Sequence, residues 1–146
     1  MCEIMLRVLV SLEGRITGNG LDVRTELPEG KLMVWGDPDA ITQVCYNLLD
    51  NAAKFAAPGS TITVGAVSRD GKAWISVANE GQTIPREELP LLFERFHKAD
   101  YSRSKDRDGV GLGLYIVKTI LANMKEDIIA ESQDGVTRFT FTLTPA

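Results

Sequence analysis

Gln43-Val44-Cys45-Tyr46-Asn47-Leu48-Leu49-Asp50-Asn51-Ala52-Ala53-Lys54-Phe55 carries a two-striped helical pattern. Residues four apart share one face of an α-helix. Gln43, Asn47 and Asn51 therefore form a polar stripe, with Lys54 one turn further, while Val44, Leu48, Ala52 and Phe55 form a neighbouring apolar stripe suited to packing on a sheet. The ends of the helix are legible too. Asp37 offers an N-cap and Pro38 suits the first helical position, so a long helix is expected over residues 38–57, stopping at Pro58-Gly59.

Working outward toward the start, residues 3–13 place Ile4, Met5, Val8, Leu9 and Leu12 at helical spacing. Gly18-Asn19-Gly20 is a turn, and Leu21, Val23, Thr25 and Leu27 alternate with polar residues, which reads as a strand over 21–27. Leu32-Met33-Val34-Trp35 reads as a short apolar strand. Toward the other end, strands are expected over 61–68 and 73–78, joined at the hairpin signal Asp70-Gly71. Residues 86–97 read as helical with a break near Pro90. Residues 98–110 are charged and Gly-containing without periodicity, the pattern of a mobile loop, and 112–124 returns to helix. Two last strands, 128–132 and 137–143, flank Asp134-Gly135. Helices and strands mix without strict βαβ alternation, which favours a layered α/β sandwich over a doubly wound sheet.

The amide stripe allows two readings: a solvated face whose amides bond water, or one side of a metal–triphosphate site. Magnesium prefers hard oxygen ligands and keeps waters and phosphate oxygens in its shell. A neutral Asn oxygen completes that shell without repelling phosphate, and Lys54 would offset phosphate charge. Asn79-Glu80-Gly81 follows a strand directly; it is either a plain turn or a place where a ligand approaches the backbone, with Asn79 set to read a base edge. Gly109-Val110-Gly111-Leu112-Gly113-Leu114 leads into a helix, where open backbone N–H groups and the helix dipole bind phosphate. It lacks both the preceding strand of a Rossmann loop and the Lys-Ser/Thr of a Walker A loop, and a flexible connection is the competing reading.

Composition sets outer bounds. The chain has 146 residues, 44% of them hydrophobic and 25% charged, as expected of one globular domain over 1–146. A net charge of −4 gives no ground for binding to nucleic acid or to an anionic membrane. No apolar run approaches the roughly 20 residues of a membrane span. Cys2 and Cys45 have no metal-like spacing and read as reduced thiols of a cytoplasmic protein.

The order of these signals resembles the histidine-kinase branch of the GHKL ATPases, the superfamily that includes gyrase-type ATPases and heat-shock chaperones. Residues 43–55 resemble its N box, 77–85 its G1 box, Leu92-Phe93-Glu94-Arg95-Phe96 its F box and 109–114 its G2 box. The resemblance implies a two-layer α/β sandwich of the Bergerat type, a mixed sheet of about five strands backed by about three helices. It implies ATP and Mg²⁺ as ligands. Asn51 would hold the magnesium, with Asn47 supporting the ion or the phosphates, and Lys54 would contact phosphate. Phe55 would lie against the adenine, Asn79 would read its amino group, and Gly81 would let the base approach. Gly109, Gly111, Gly113 and Leu114 would line the phosphates, and Lys98 and Arg103 would meet the γ-phosphate or remain solvated surface charges.

The resemblance also implies transfer of the γ-phosphoryl group of ATP to a histidine on a dimeric helical hairpin domain, and from there to the receiver domain of a response regulator. The single histidine, His97, at the end of the F box, reads as a lid-hinge or surface residue and not as the acceptor. The chain alone is therefore expected to bind Mg-ATP weakly, to stay monomeric and not to label itself, working in the cytoplasm even if its parent protein is membrane-anchored. Three positions depart from the pattern: Asn79 stands for the usual Asp, Thr83 for a usual Gly, which would narrow the pocket, and Met124-Lys125-Glu126 for a His-Gly-Gly helix end, expected to change only a connection away from the nucleotide. Two other functions compete: a degenerate GHKL scaffold, motivated by Asn79 and Thr83, and a Ser/Thr kinase of the anti-sigma-factor type, against which the Phe93-x-x-Phe96 spacing speaks.

Overall fold

The computed structural model describes residues 1–94 and 112–146. The long helix, α3, spans Pro38–Phe55. Asp37 caps it, its side chain accepting from Asp39 N–H at 3.0 Å, and Pro38 occupies the first turn. Two shorter helices precede it, α1 at Cys2–Ser11 and α2 at Glu13–Gly18, where the sequence pattern suggests one. The chain breaks at Leu12, which is buried. The second piece escapes a periodicity reading because its six residues include Gly14, Thr17 and Gly18, all weak helix formers. Among the described residues a further α-helix, α4, spans Gly113–Asn123.

Six strands form one sheet: β1 Asp22–Glu26, β2 Val34–Trp35, β3 Thr61–Arg69, β4 Lys72–Glu80, β5 Ile128–Gln133 and β6 Val136–Pro145. Their order is β1-β3-β4-β6-β2, with β5 also pairing β6. The sheet is mixed, because β1 runs parallel to β3 and every other pair is antiparallel. Both hairpins turn where expected. Asp70 and Gly71 take φ of 53° and 75°, and Asp134 and Gly135 take 53° and 80°, the doubly positive pair that a tight two-residue hairpin needs. β2 has two residues, shorter than the four-residue apolar run suggests, and it pairs only Thr144 and Pro145. β1 keeps the expected position, but all five of its residues are exposed because it is an edge strand; Asp22, Arg24 and Glu26 charge that edge and discourage further pairing.

One face of the sheet is apolar. Ile62 and Val64 of β3, Ala73, Ile75 and Val77 of β4, and Phe139, Phe141 and Leu143 of β6 are buried there, together with Val44, Leu48, Ala52 and other residues of α3. α1 adds Met5 and Val8, and α4 adds Val117 and Leu121. Cys45 lies in this layer at 0% exposure, and burial pushes its thiol up to about 12, so it stays a protonated packing group. Cys2 and Cys45 form no disulfide.

The end of α4 does more than connect. Lys125 N–H donates to Ala122 C=O and Glu126 N–H to Leu121 C=O, the pair of bonds of a Schellman cap. Lys125 holds the left-handed position with φ of 60°, where glycine is usual. Lys125→Gly is therefore expected to raise unfolding stability by about 0.5–1 kcal/mol, read by urea denaturation; a loss of stability would contradict this. Next to it, the buried Glu126 carboxylate accepts from Lys72 Nζ at 2.7 Å and from the Thr142 and Thr144 hydroxyls at 2.8 Å each. This network ties the end of α4 to the starting end of β4 and the finishing end of β6. Gly36 supports the same corner: a Cβ there would come within 2.7 Å of the Met124 methyl group and 2.9 Å of Ile41.

Candidate functional site

At the opposite end of β4 the sheet, α3 and α4 converge. The amide stripe of α3 faces α4 as its spacing suggests. Gln43 Nε2 donates to Asn47 Oδ1 at 2.8 Å, and Asn47 Nδ2 donates to the carbonyl oxygen of Gly113 at 3.2 Å. Asn47 thus spans from the central helix to the first residue of α4. Asn51 lies one turn along the same face, half-buried. The start of α4 carries no side-chain cap, and a Cβ on Gly113 would meet nothing within 4 Å. Its first N–H groups keep the donor geometry and dipole that attract phosphate. Leu114 packs partly buried on the core and fixes this first turn.

The second wall is the turn after β4. A Cβ on Gly81 would lie 2.6 Å from the carbonyl oxygen of Phe55 and 3.6 Å from Asn79 Nδ2, so only glycine lets this turn approach the end of α3 so closely. Ala57 N–H donates to Glu80 C=O at 2.8 Å and fastens the same junction. Phe55 is 8% exposed, at once a core residue and part of this corner. Asn79 is 5% exposed, and its side-chain amide makes no hydrogen bond with another described residue. An unpartnered buried amide costs about 1–3 kcal/mol, so its presence needs a ligand or water to explain it.

Thr83 turns out to be a fastening. Gly81 N–H donates to Gly135 C=O at 2.7 Å, and Gly135 N–H donates back to Thr83 Oγ1 at 2.8 Å. Ile84 N–H donates to Ser132 Oγ at 2.8 Å, and Ser132 Oγ lies 2.9 Å from Thr137 Oγ1. These hydroxyls hold the turn on the β5–β6 hairpin. Thr83→Val is expected to cost about 0.5–1.5 kcal/mol in urea unfolding and Thr83→Ser close to nothing; equal effects would show that the hydroxyl is not what matters.

Lys54 lies half-buried beside Asp50, Nζ 3.5 Å from Oδ2, and the same carboxylate takes the Arg15 guanidinium. This acidic anchor at the α3 face is invisible in a local pattern, because Arg15 comes from a distant helix. Phe93 of the F box packs edge-on against Phe139 with centroids 6.0 Å apart, and Lys118 Nζ of α4 sits 5.9 Å from its ring. The 3-10 segment Arg86–Phe93 is thereby pinned to both the sheet and α4. Phe96, His97, Lys98, Arg103, Gly109 and Gly111 lie outside the described residues. Among the described residues no cluster of three or more His, Cys, Asp or Glu side chains is arranged to hold a metal, and no helix is long and apolar enough to cross a membrane.

Comparison with known proteins agrees with this geometry. The family described as histidine kinase-, DNA gyrase B- and HSP90-like ATPase matches residues 36–146. The sensor histidine kinase CusS of Escherichia coli K12 is 39% identical over 113 residues, covering 77% of this chain and 24% of that protein. The sensor protein VanS of Enterococcus faecium is 36% identical over 129 residues, covering 88% of this chain and 33% of that protein. The chain thus spans a quarter to a third of these relatives. Among solved structures, the catalytic domain of histidine kinase ThkA superposes with a TM-score of 0.87 at 27% identity, over 99% of this chain and 91% of that one. ThkA has also been solved in complex with the response regulator protein TrrA. Family match, relatives and fold meet on one conclusion: the chain belongs to the histidine kinase-, DNA gyrase B- and HSP90-like ATPases, in their sensor histidine kinase branch.

Proposed function

We propose that residues 1–146 act as one catalytic unit that binds Mg-ATP between α3, the turn after β4 and the start of α4, and offers the γ-phosphoryl group to a histidine on a separate helical domain. The observation that carries the reading is the 3.2 Å bond from Asn47 to Gly113, which joins the amide stripe to the helix start that would receive phosphate. Asn51, half-buried one turn further, suits a magnesium ion whose remaining ligands are phosphate oxygens and water. The ion would neutralise charge building on the transferred phosphoryl group.

This chain's own residues supply position and charge. Asn47 sets the spacing between α3 and α4. Lys54, held at Asp50, lies within one turn of Asn51 and would turn toward a phosphate. Gly113 and Leu114 open α4 to the phosphates, joined by Gly109 and Gly111. Lys98 and Arg103 would meet the γ-phosphate. Phe55, Asn79 and Gly81 would take the base. Tyr115 and Ile116, each 36% exposed on the first turns of α4, leave apolar surface beside the cleft for a helical partner. The receiver domain of a response regulator would take the phosphoryl group next, on the cytoplasmic side of the membrane.

Labelling with γ-labelled ATP tests the reading. The chain alone should stay unlabelled, and a separately supplied helical hairpin domain bearing a histidine should acquire an acid-labile, base-stable label. Strong self-labelling of the chain, or an acid-stable product, would overturn it; the latter would favour a Ser/Thr kinase. Failure to bind Mg-ATP at all would favour a scaffold.

A further inference from the structure

Asn79 lies on β4 between Ile62 of β3 and Thr137 of β6, with its amide nitrogen 3.6 Å from where a Cβ on Gly81 would stand. It is 5% exposed, and its side-chain amide has no hydrogen-bond partner among the described residues. No hydrogen bond with a described residue fixes which of Oδ1 and Nδ2 faces the proposed base site. A carboxylate at this place could only accept hydrogen bonds, whereas an amide accepts through one atom and donates through the other. Rotation about the last side-chain bond exchanges the two.

The purines differ at this same edge. A 6-aminopurine presents an amino donor at C6 beside an acceptor at N1. A 6-oxopurine presents an acceptor at C6 beside an N1–H donor. One amide orientation complements the first and the reversed orientation complements the second, each with two hydrogen bonds. We infer that Asn79 makes the base site permissive, so that 6-oxopurine nucleoside triphosphates bind in this cleft as well as ATP. The inference rests on the nucleotide-site reading proposed above. Thr83 and Ser132 strengthen it by holding the turn to the β5–β6 hairpin, so that the amide rotates within a fixed frame.

Competitive binding of magnesium complexes of ATP, inosine triphosphate and guanosine triphosphate to the whole chain tests this, in the wild type and in Asn79→Asp. The ratio of affinities is taken within each protein, so any loss of folded fraction cancels. Inosine triphosphate should bind the wild type within about tenfold of ATP, and Asn79→Asp should widen that gap by about tenfold or more, because the carboxylate has no donor for the 6-oxygen. ATP binding with inosine triphosphate rejected more than about a hundredfold would overturn the inference and leave the nucleotide site standing. So would an unchanged ratio in Asn79→Asp. Absence of binding by all three nucleotides would overturn the site itself, and the inference with it.

Discussion

Gly81→Ala is expected to lower unfolding stability by about 1–3 kcal/mol and to weaken Mg-ATP binding by more than about tenfold. The reason is steric and local. The added Cβ would sit 2.6 Å from the Phe55 carbonyl oxygen, which belongs to the backbone at the end of α3 and cannot rotate away as a side chain could. The turn must therefore back off, and its bond from Gly81 N–H to Gly135 C=O moves with it. Because Asn79 lies two residues earlier, the shift also displaces the amide proposed to read the base. Urea unfolding and calorimetric titration on the same sample measure both effects. Wild-type values for both would contradict the close approach.

Lys72→Met is expected to destabilise more than Glu126→Gln, by about 3–5 against about 1–2 kcal/mol at neutral pH. The two partners are unequally buried, with side-chain exposures of 37% for Lys72 and 4% for Glu126. Removing the lysine strands a buried carboxylate on two hydroxyls. Removing the carboxylate's charge leaves a lysine that can reach water. Burial opposes ionisation of Glu126, but the bonds from Lys72, Thr144 and Thr142 outweigh it and hold the carboxyl below its ordinary value. In the wild type this group therefore contributes stability that is fully present above the unfolded-state value of about 4.3 and is lost as pH falls through the lower folded value. In Lys72→Met the lysine's bond and charge no longer offset burial, while the two threonine bonds remain. The folded value therefore lies above that of the wild type, so the variant's deficit should be largest near neutrality and shrink as acid protonates the carboxyl. Unfolding curves at a series of pH values test this, and a deficit independent of pH would refute it.

How much of this was legible in the sequence depended on the range of the interaction. The bounds of α3 follow from Asp37, Pro38 and the apolar stripe, and both hairpins from an Asp-Gly pair, because caps and tight turns are written in adjacent residues. The mixed sandwich with its glycine-bearing turns was likewise readable, and so was the face on which Asn47 and Asn51 lie. The contacts that shape the site join distant segments. Asn47 to Gly113, Gly81 to Phe55 and Thr83 to Gly135 appear in no periodicity. The same limit hides the structural part that Glu126 plays in the connection Met124-Lys125-Glu126. Glu126 acts through Lys72, Thr142 and Thr144, which only the pairing of β4 with β6 brings together. Likewise Asp50 gains its ion-pair role only where α2 brings Arg15 to it.

The amide face of α3 and the start of α4 are proposed to enclose a triphosphate with its divalent ion. Calorimetric titration of Mg-ATP into the wild-type chain and into Asn51→Ala tests it most directly, with urea unfolding as the control for folding. Saturable, magnesium-dependent binding to the wild type is expected, and its loss in an Asn51→Ala chain of wild-type stability. Wild-type affinity in Asn51→Ala, or binding indifferent to magnesium, would contradict it.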